Sequence, residues 1–310
     1  MTKTGEYVLG IPRALLYYRY DRMWQVFFEE LGIQTRLSPP TDRKIYEAGA
    51  ARAIDEMCLS AKIFLGHVDA LIGTCDAILI PRIHDFGHRR EMCLTFSALY
   101  DMTANVFRGS GQQFLALNID EKKGTDEKSG YLNLAASLGC SASAASKAYK
   151  KAKKAEEASW KSKMREQEEL YKRPGKKVLL AGHSYVIEDP YFGKPILEYL
   201  KKLGVTAVRA DVVDRKDALK QSGKVSPTLK WEMNREIVGG LYLNRKKIDG
   251  VILLSVFPCG PDSMVNDLLM RKNEGIPTLN LMLDGQSGMA GVETRLESFV
   301  DILNFKGGSV

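Results

Sequence analysis

One pattern recurs along this chain and restricts its fold more than any other feature. A short apolar run meets a proline or glycine, a helical stretch follows and closes on glycine, and a second apolar run begins. The first instance is Tyr7-Val8-Leu9-Gly10-Ile11, broken by Pro12, with a helical pattern through Trp24, Val26, Phe27, Phe28 and Leu31 ending at Gly32. Ile33 to Leu37 reads as the next strand, stopped by Pro39-Pro40, and a helix is expected from about Thr41 to Ala53. The second instance is Lys177-Val178-Leu179-Leu180-Ala181-Gly182, a helix through Ile196, Leu197, Tyr199, Leu200 and Leu203, then Gly204 and a strand from Val205 to Val208. Apolar runs this short, alternating with amphipathic helices, are the mark of parallel α/β sheets. Glycine just past a helix supplies the left-handed residue that ends it.

Two α/β halves follow. Ala77-Ile78-Leu79-Ile80-Pro81 is a buried strand, expected to lead into a polar loop with His84, Asp85, His88, Arg89 and Arg90. Its counterpart is Asp249-Gly250-Val251-Ile252-Leu253-Leu254, and Pro277 to Leu283 is a final strand before a helix through Leu296, Phe299, Ile302 and Leu303. Between the halves, Ser129 to Tyr171 is rich in Ala, Lys, Glu and Ser without proline, which favours one or two connecting helices. Lys172-Arg173-Pro174-Gly175 stops that stretch. The expected domains are 1–125, a helical connector over 126–175, and 176–310. A chain of 310 residues is long enough for two cores.

Composition excludes several classes. With 45% hydrophobic and 27% charged residues the chain reads as a soluble globular protein. No apolar run approaches the roughly 20 residues a membrane helix needs. Met1 to Glu6 carries Lys3 with no apolar stretch behind it, so no signal peptide and a cytoplasmic location are expected. The net charge of +7 suits an anionic partner, but Lys147 to Lys177 supplies much of it, as a solvated basic helix would. No basic stretch interleaved with aromatic residues points to nucleic acid. No P-loop, no G-x-S-x-G elbow and no G-x-G-x-x-G fingerprint is present, so ATP hydrolysis within this chain, serine hydrolysis and nicotinamide chemistry lack their usual signals.

The cysteines carry the candidate chemistry. Five, an odd number, in a cytosolic chain argue for thiols, metal or catalysis over a disulfide framework. Cys58, Cys93 and Cys259 each fall where a loop or strand runs into a helix, and in open α/β sheets such junctions line the ligand-binding edge. Three thiolates there suit a soft metal centre with one open position. There are no Cys-x-x-Cys knuckles of a structural zinc site, so the site would be assembled from separate loops. Spacing alone leaves open the plainer reading of each cysteine as a small buried hydrophobe. Pro258-Cys259-Gly260-Pro261 lets backbone approach a bulky group closely, and Asp262 and Ser263 read as N-caps. Cys75 and Cys140 read as structural. His84 and His88 are four apart, but Gly87 between them disfavours a helical metal site; His67 and His183 stand alone. Gly182-His183-Ser184-Tyr185 is either an anion-binding turn or a tight structural one.

Six motifs, in order along nearly the whole chain, resemble a known superfamily. They are Gly10-Ile11-Pro12-Arg13-Ala14-Leu15; Asp55-Glu56-Met57-Cys58-Leu59-Ser60-Ala61-Lys62 with Gly66-His67-Val68; Ile80-Pro81-Arg82-Ile83 before Cys93; Gly182-His183-Ser184-Tyr185 with Asp189-Pro190-Tyr191; Phe257-Pro258-Cys259-Gly260-Pro261-Asp262; and Glu293-Thr294-Arg295-Leu296-Glu297-Ser298-Phe299. Together the chain resembles the 2-hydroxyacyl-CoA dehydratase and benzoyl-CoA reductase subunit superfamily, in its acyl-CoA dehydratase activase-related branch. The resemblance implies two flavodoxin- or Rossmann-like domains with parallel sheets and a [4Fe–4S] cluster in the cleft between them. Its ligands would be Cys58, Cys93 and Cys259, leaving one iron open. It further implies low-potential electrons from a separate ATP-hydrolysing iron–sulfur activator, used to reduce or dehydrate acyl-CoA thioesters, and pairing with a second copy or a related subunit. Ser60 and Leu94 stand where many relatives carry proline after the first and second cysteine. Neither departure removes a ligand.

Three readings stand. The first is a [4Fe–4S] enzyme component acting on an acyl-CoA or other small substrate, with Arg13, Arg82 and Lys62 as candidate anchors for an anion. The second is a non-catalytic iron–sulfur carrier or maturation protein. The third is a metal-free α/β binding module.

Overall fold

The computed structural model describes residues 7–272, 275–285 and 289–307. The chain divides into two compact units, Met1–Trp160 and Lys161–Val310.

The first unit begins with β1 (Val8–Ile11), α1 (Tyr17–Glu30), β2 (Gln34–Leu37), α2 (Arg43–Arg52) and α3 (Leu59–Asp69). It continues with β3 (Ala77–Asp85), α4 (Leu94–Val106), β4 (Gln113–Asp120) and α5 (Glu127–Ser137), and runs into the long α6 (Ala142–Lys172). Its four strands are parallel in the order β2-β1-β3-β4. The second unit holds β5 (Lys177–Ala181), α7 (Ser184–Ile187), α8 (Lys194–Lys202), β6 (Thr206–Arg209), α9 (Arg215–Val225) and α10 (Glu232–Asn244). It ends with β7 (Gly250–Val256), α11 (Gly260–Arg271), β8 (Thr278–Leu283) and α12 (Met289–Gly307). Its strands are also parallel, in the matching order β6-β5-β7-β8. Each unit is a flavodoxin- or Rossmann-like α/β domain whose chain reverses direction across the sheet between its two central strands.

Central parallel strands are covered on both faces, so they are apolar throughout instead of alternating. Ala77 to Ile80 are fully buried, and every residue of β7 is buried. Gly32 and Gly204 close their helices with φ of +69° and +75°, as their positions in the sequence predict. Helices α5 and α6 fill much of 126–175, and α1 is pinned to α5 where Trp24 Nε1 donates to the buried Tyr131 hydroxyl at 3.0 Å.

The strand ending at Pro81 is longer than its sequence suggests. β3 runs through the proline to Asp85, so His84 and Asp85 are strand residues and not loop residues. Pairing with β1 stops at Gly10↔Ile78, while pairing with β4 continues past Pro81↔Leu117. At Pro81 one flank of the strand is already open, so the missing N–H breaks no ladder.

Candidate functional site

The three cysteines share one local geometry. Each is the N-cap of a helix with extended backbone: Cys58 before α3 (φ −63°, ψ 147°), Cys93 before α4 (φ −70°, ψ 162°) and Cys259 before α11 (φ −115°, ψ 104°). Each carbonyl accepts the first helical bond, from Lys62 N at 3.0 Å, Ser97 N at 3.3 Å and Ser263 N at 3.0 Å. None of the three helices has a side-chain cap. By contrast, Asp42, Asp126 and Asp214 cap α2, α5 and α9, accepting from Ile45, Ser129 and Asp217 N at 2.9, 2.7 and 3.0 Å. The first amides of a helix point outward and favour negative charge. At the cysteine-headed helices no carboxylate side chain answers them as a cap.

Chain path places Cys93 and Cys259 just beyond the carboxyl ends of the central strands. Between β3 and Cys93 the backbone makes a small closed excursion: Asp85 bridges Glu91, Met92 N bonds His84 O at 2.8 Å, and Gly87 turns with φ +98°. His88 sits in that turn, away from any helical pairing with His84. Cys259 lies three residues after β7 and follows a cis Phe257–Pro258 bond.

Cys58 heads the helix that carries His67, which is wholly buried. His67 Nδ1 lies 2.8 Å from Ser38 Oγ and Nε2 lies 3.0 Å from Thr41 Oγ1. Ser38 Oγ also accepts the Arg13 backbone N–H at 2.8 Å. The imidazole thereby ties α3 to the loops leaving β1 and β2. Burial, helped by the charge of Arg13, pushes its pKa down to about 3, so it stays neutral.

In the second unit His183 follows β5 and heads α7, with Nε2 2.8 Å from Asp262 Oδ1. Asn234 Nδ2, at the start of α10, donates to the same oxygen at 2.8 Å. Asp262 is therefore not the helix cap its position suggests; it is a buried acceptor in the first turn of α11. Burial opposes its charge, but the His183 charge and hydrogen bonds from His183, Asn234 and the Cys259 side chain outweigh it and lower the Asp262 pKa. The His183 and Asn234 partners lie 79 and 28 residues away, so nothing local announces those two bonds.

The candidate cations separate. Arg82 pairs with Asp101 at 3.0 Å, and Lys62 Nζ donates to the Asp55 carbonyl at 3.0 Å. Arg13 sits above the Tyr17 ring at 6.0 Å, and its Nε is enclosed without a hydrogen-bond partner. Burial raises the pKa of both Cys75 and Cys140, which suits structural thiols. None of the five cysteines forms a disulfide. Cys58 and Cys93 belong to the first unit and Cys259 to the second. Among the described residues, no three His, Cys, Asp or Glu side chains are grouped to hold a metal ion. Among those residues, too, no helix is long and apolar enough to cross a membrane.

As donors, three thiols in an uncapped N-terminal setting fit an iron–sulfur cluster, since thiolate is its usual ligand and first-turn amides can hydrogen-bond its negatively charged sulfurs.

Comparison with known proteins gives one family. The model described as "CoA enzyme activase uncharacterised domain" matches residues 8–213, more than half of the chain. Cys58, Cys93 and His183 lie inside that segment and Cys259 beyond it. No curated protein matches. Among solved structures, the chain is similar to the SBP FpvC from Pseudomonas aeruginosa in complex with Mn2+, at 12% identity over 96% of this chain and 97% of that one, with a TM-score of 0.30. The Ni2+ complex of FpvC from P. aeruginosa gives 12% identity over 98% of each chain and a TM-score of 0.31.

Proposed function

The chain belongs to the CoA enzyme activase uncharacterised domain family, and from that premise we propose that it is a [4Fe–4S] protein of acyl-CoA chemistry. In this reading Cys58, Cys93 and Cys259 hold the cluster. The chain takes low-potential electrons from an ATP-hydrolysing iron–sulfur activator and serves the reduction or dehydration of an acyl-CoA or another small substrate. A second copy or a related subunit completes the assembly.

The observation that carries this reading is the shared N-cap position of the three thiols. Three helices begin with cysteine, in the same extended conformation and without a capping carboxylate, while α2, α5 and α9 are capped by aspartate. When bound, the cluster supplies one-electron chemistry and an open iron. The chain's own contribution is to aim thiolates and first-turn amides at it. Arg13, whose Nε is enclosed without a hydrogen-bond partner, anchors the anionic part of the substrate.

The test is iron and sulfide content with an EPR spectrum on protein purified or reconstituted without oxygen. About four irons per chain and a reducible cubane signal are expected. Protein without iron under those conditions overturns the reading and leaves a two-domain binding protein. A cluster that accepts electrons from the activator but never turns over an acyl-CoA assigns the chain to electron carriage or maturation instead.

A further inference from the structure

Cys259 stands past the carboxyl end of β7, and the other edge of that sheet holds a hollow of its own. β7 and β8 begin there, and α9, α10 and α11 end there. Two bonds tie the helix ends together. The Tyr242 hydroxyl donates to the Lys272 carbonyl at 3.3 Å, and Lys272 Nζ donates to the Val225 carbonyl at 2.5 Å.

The hollow has two parts. The inner one is a narrow crevice of about 30 Å³, walled by Leu241, Val251, Leu253 and Leu269 and edged by Ile276. The outer one is an open recess of about 400 Å³ that reaches Gln221, Lys224 and Val225. Tyr242, Arg245 and Lys272 line both, so the two spaces adjoin across these side chains. Among the described residues, no Asp or Glu lines either space.

Helix carboxyl ends attract cations. Lys224, Arg245 and Lys272 lie at those of α9, α10 and α11, so charge by itself assigns no ligand. The crevice beneath them does. Its four aliphatic walls belong to the buried core. Interiors are close-packed, and a gap there leaves such side chains without neighbours on one side. Apolar walls with a few convergent polar groups, in a volume of roughly 300–1,000 Å³, are how small-molecule sites are built. The polar groups here suit an anion. The Arg245 guanidinium lies 5.3 Å from the centre of the Tyr242 ring, and its planar fork matches phosphate with two parallel bonds. Lys272 Nζ has three donors, of which the Val225 carbonyl takes one.

We propose that this hollow binds a small phosphate monoester with a short apolar end. That end enters the crevice against Leu253 and Leu269, and the phosphate sits at the mouth among Arg245, Lys272 and Lys224. Three cations favour a phosphate, close to doubly charged at neutral pH, over a carboxylate. The crevice has room for about two water-sized groups, so the buried part of the chain is short. The site lies within one unit and needs no cluster.

The full chain, with its isoleucine, leucine and valine methyl groups labelled for NMR, is titrated with butyl phosphate, inorganic phosphate, butyrate and butanol. Butyl phosphate should shift the Leu253, Leu269 and Ile276 methyl signals saturably, and at lower concentration than the other three. Arg245→Gln should weaken it about tenfold, the worth of one charge-assisted bond. Val251→Ile adds a methyl group to the crevice, and should weaken butyl phosphate while leaving inorganic phosphate unchanged. Melting temperatures are read beside both variants, and Arg245→Gln, at the partly exposed mouth, carries the test if Val251→Ile folds poorly. No saturable shift at those methyl groups with millimolar butyl phosphate overturns the inference, as does an affinity unchanged in Arg245→Gln. Inorganic phosphate binding as tightly would reduce the mouth to surface charge, and butanol binding as tightly would leave the cations without a part; either result overturns it. Tighter binding of butyrate overturns the choice of phosphate. None of these readouts depends on iron, so the cluster reading stands or falls separately.

Discussion

His67 shows how one side chain can fasten three segments, and its chemistry predicts a pH dependence. Its pKa falls from 6.5 in the unfolded chain to about 3 in the fold, so the unfolded chain binds the extra proton first. The contribution is complete above pH 6.5 and is lost as pH falls through the window between those values. The slope there approaches 1.4 kcal/mol per pH unit. His67→Gln removes the titrating group. Denaturant titrations at pH 7.5 and pH 5 should therefore show the variant's deficit shrinking by about 2 kcal/mol at the lower pH. A deficit equal at both pH values would mean that the ring is not held neutral. At this same scale, sequence is mute about roles. His67 and His183 both read as isolated histidines, because the hydroxyls of Ser38 and Thr41 and the carboxylate of Asp262 reach them only through the fold.

Elements were more legible than side chains, and the exceptions have physical causes. Gly32 and Gly204 end helices where the pattern places them, because a left-handed residue is a local requirement. Pro81 misleads because its effect depends on whether a neighbouring strand needs its N–H, which is not local. The helix pairs α2/α3 and α9/α10 rest on a further device that periodicity hides. A Cβ on Gly66 would lie 1.9 Å from the Ile45 carbonyl oxygen, and one on Gly49 would lie 1.8 Å from that of Lys62. In the second unit a Cβ on Gly239 of α10 would meet the Ala218 carbonyl oxygen of α9 at 1.9 Å, and one on Gly240 would meet the Ala210 carbonyl oxygen, just past β6, at 1.7 Å. Gly66→Ala should cost about 1–3 kcal/mol, because the obstacle is backbone and cannot swing aside. Gly223→Ala, on α9 with open space around it, should be neutral or stabilise by up to about 1 kcal/mol. Thermal melts of the two variants decide this. Similar shifts for both would show that the crossing of α2 and α3 tolerates a methyl group.

For the whole molecule, the two halves read from recurring apolar runs correspond to two sheets of one strand order, each with a helix pair joined through glycine. That order was not written in the runs themselves, since parallel neighbours are set by how crossover helices pack and not by local composition. The repeat extends to the candidate site. Cys93 follows β3 as Cys259 follows β7, each heading the next helix, whereas Cys58 has Trp231 as its counterpart at the head of α10. The first unit thus carries two cysteine-headed helices and the second one. This makes a prediction about all five cysteines at once. If N-cap placement marks the ligands, Cys58→Ser, Cys93→Ser and Cys259→Ser should each abolish the reducible cubane signal and cut bound iron well below four per chain. Cys75→Ser and Cys140→Ser should keep both, because those thiols head no helix and burial holds their protons on. Iron analysis and EPR across the five variants, each reconstituted beside wild type, read this directly. Loss of iron in Cys75→Ser with retention in Cys58→Ser would move the cluster to a different set of thiols and remove the N-cap as its signature.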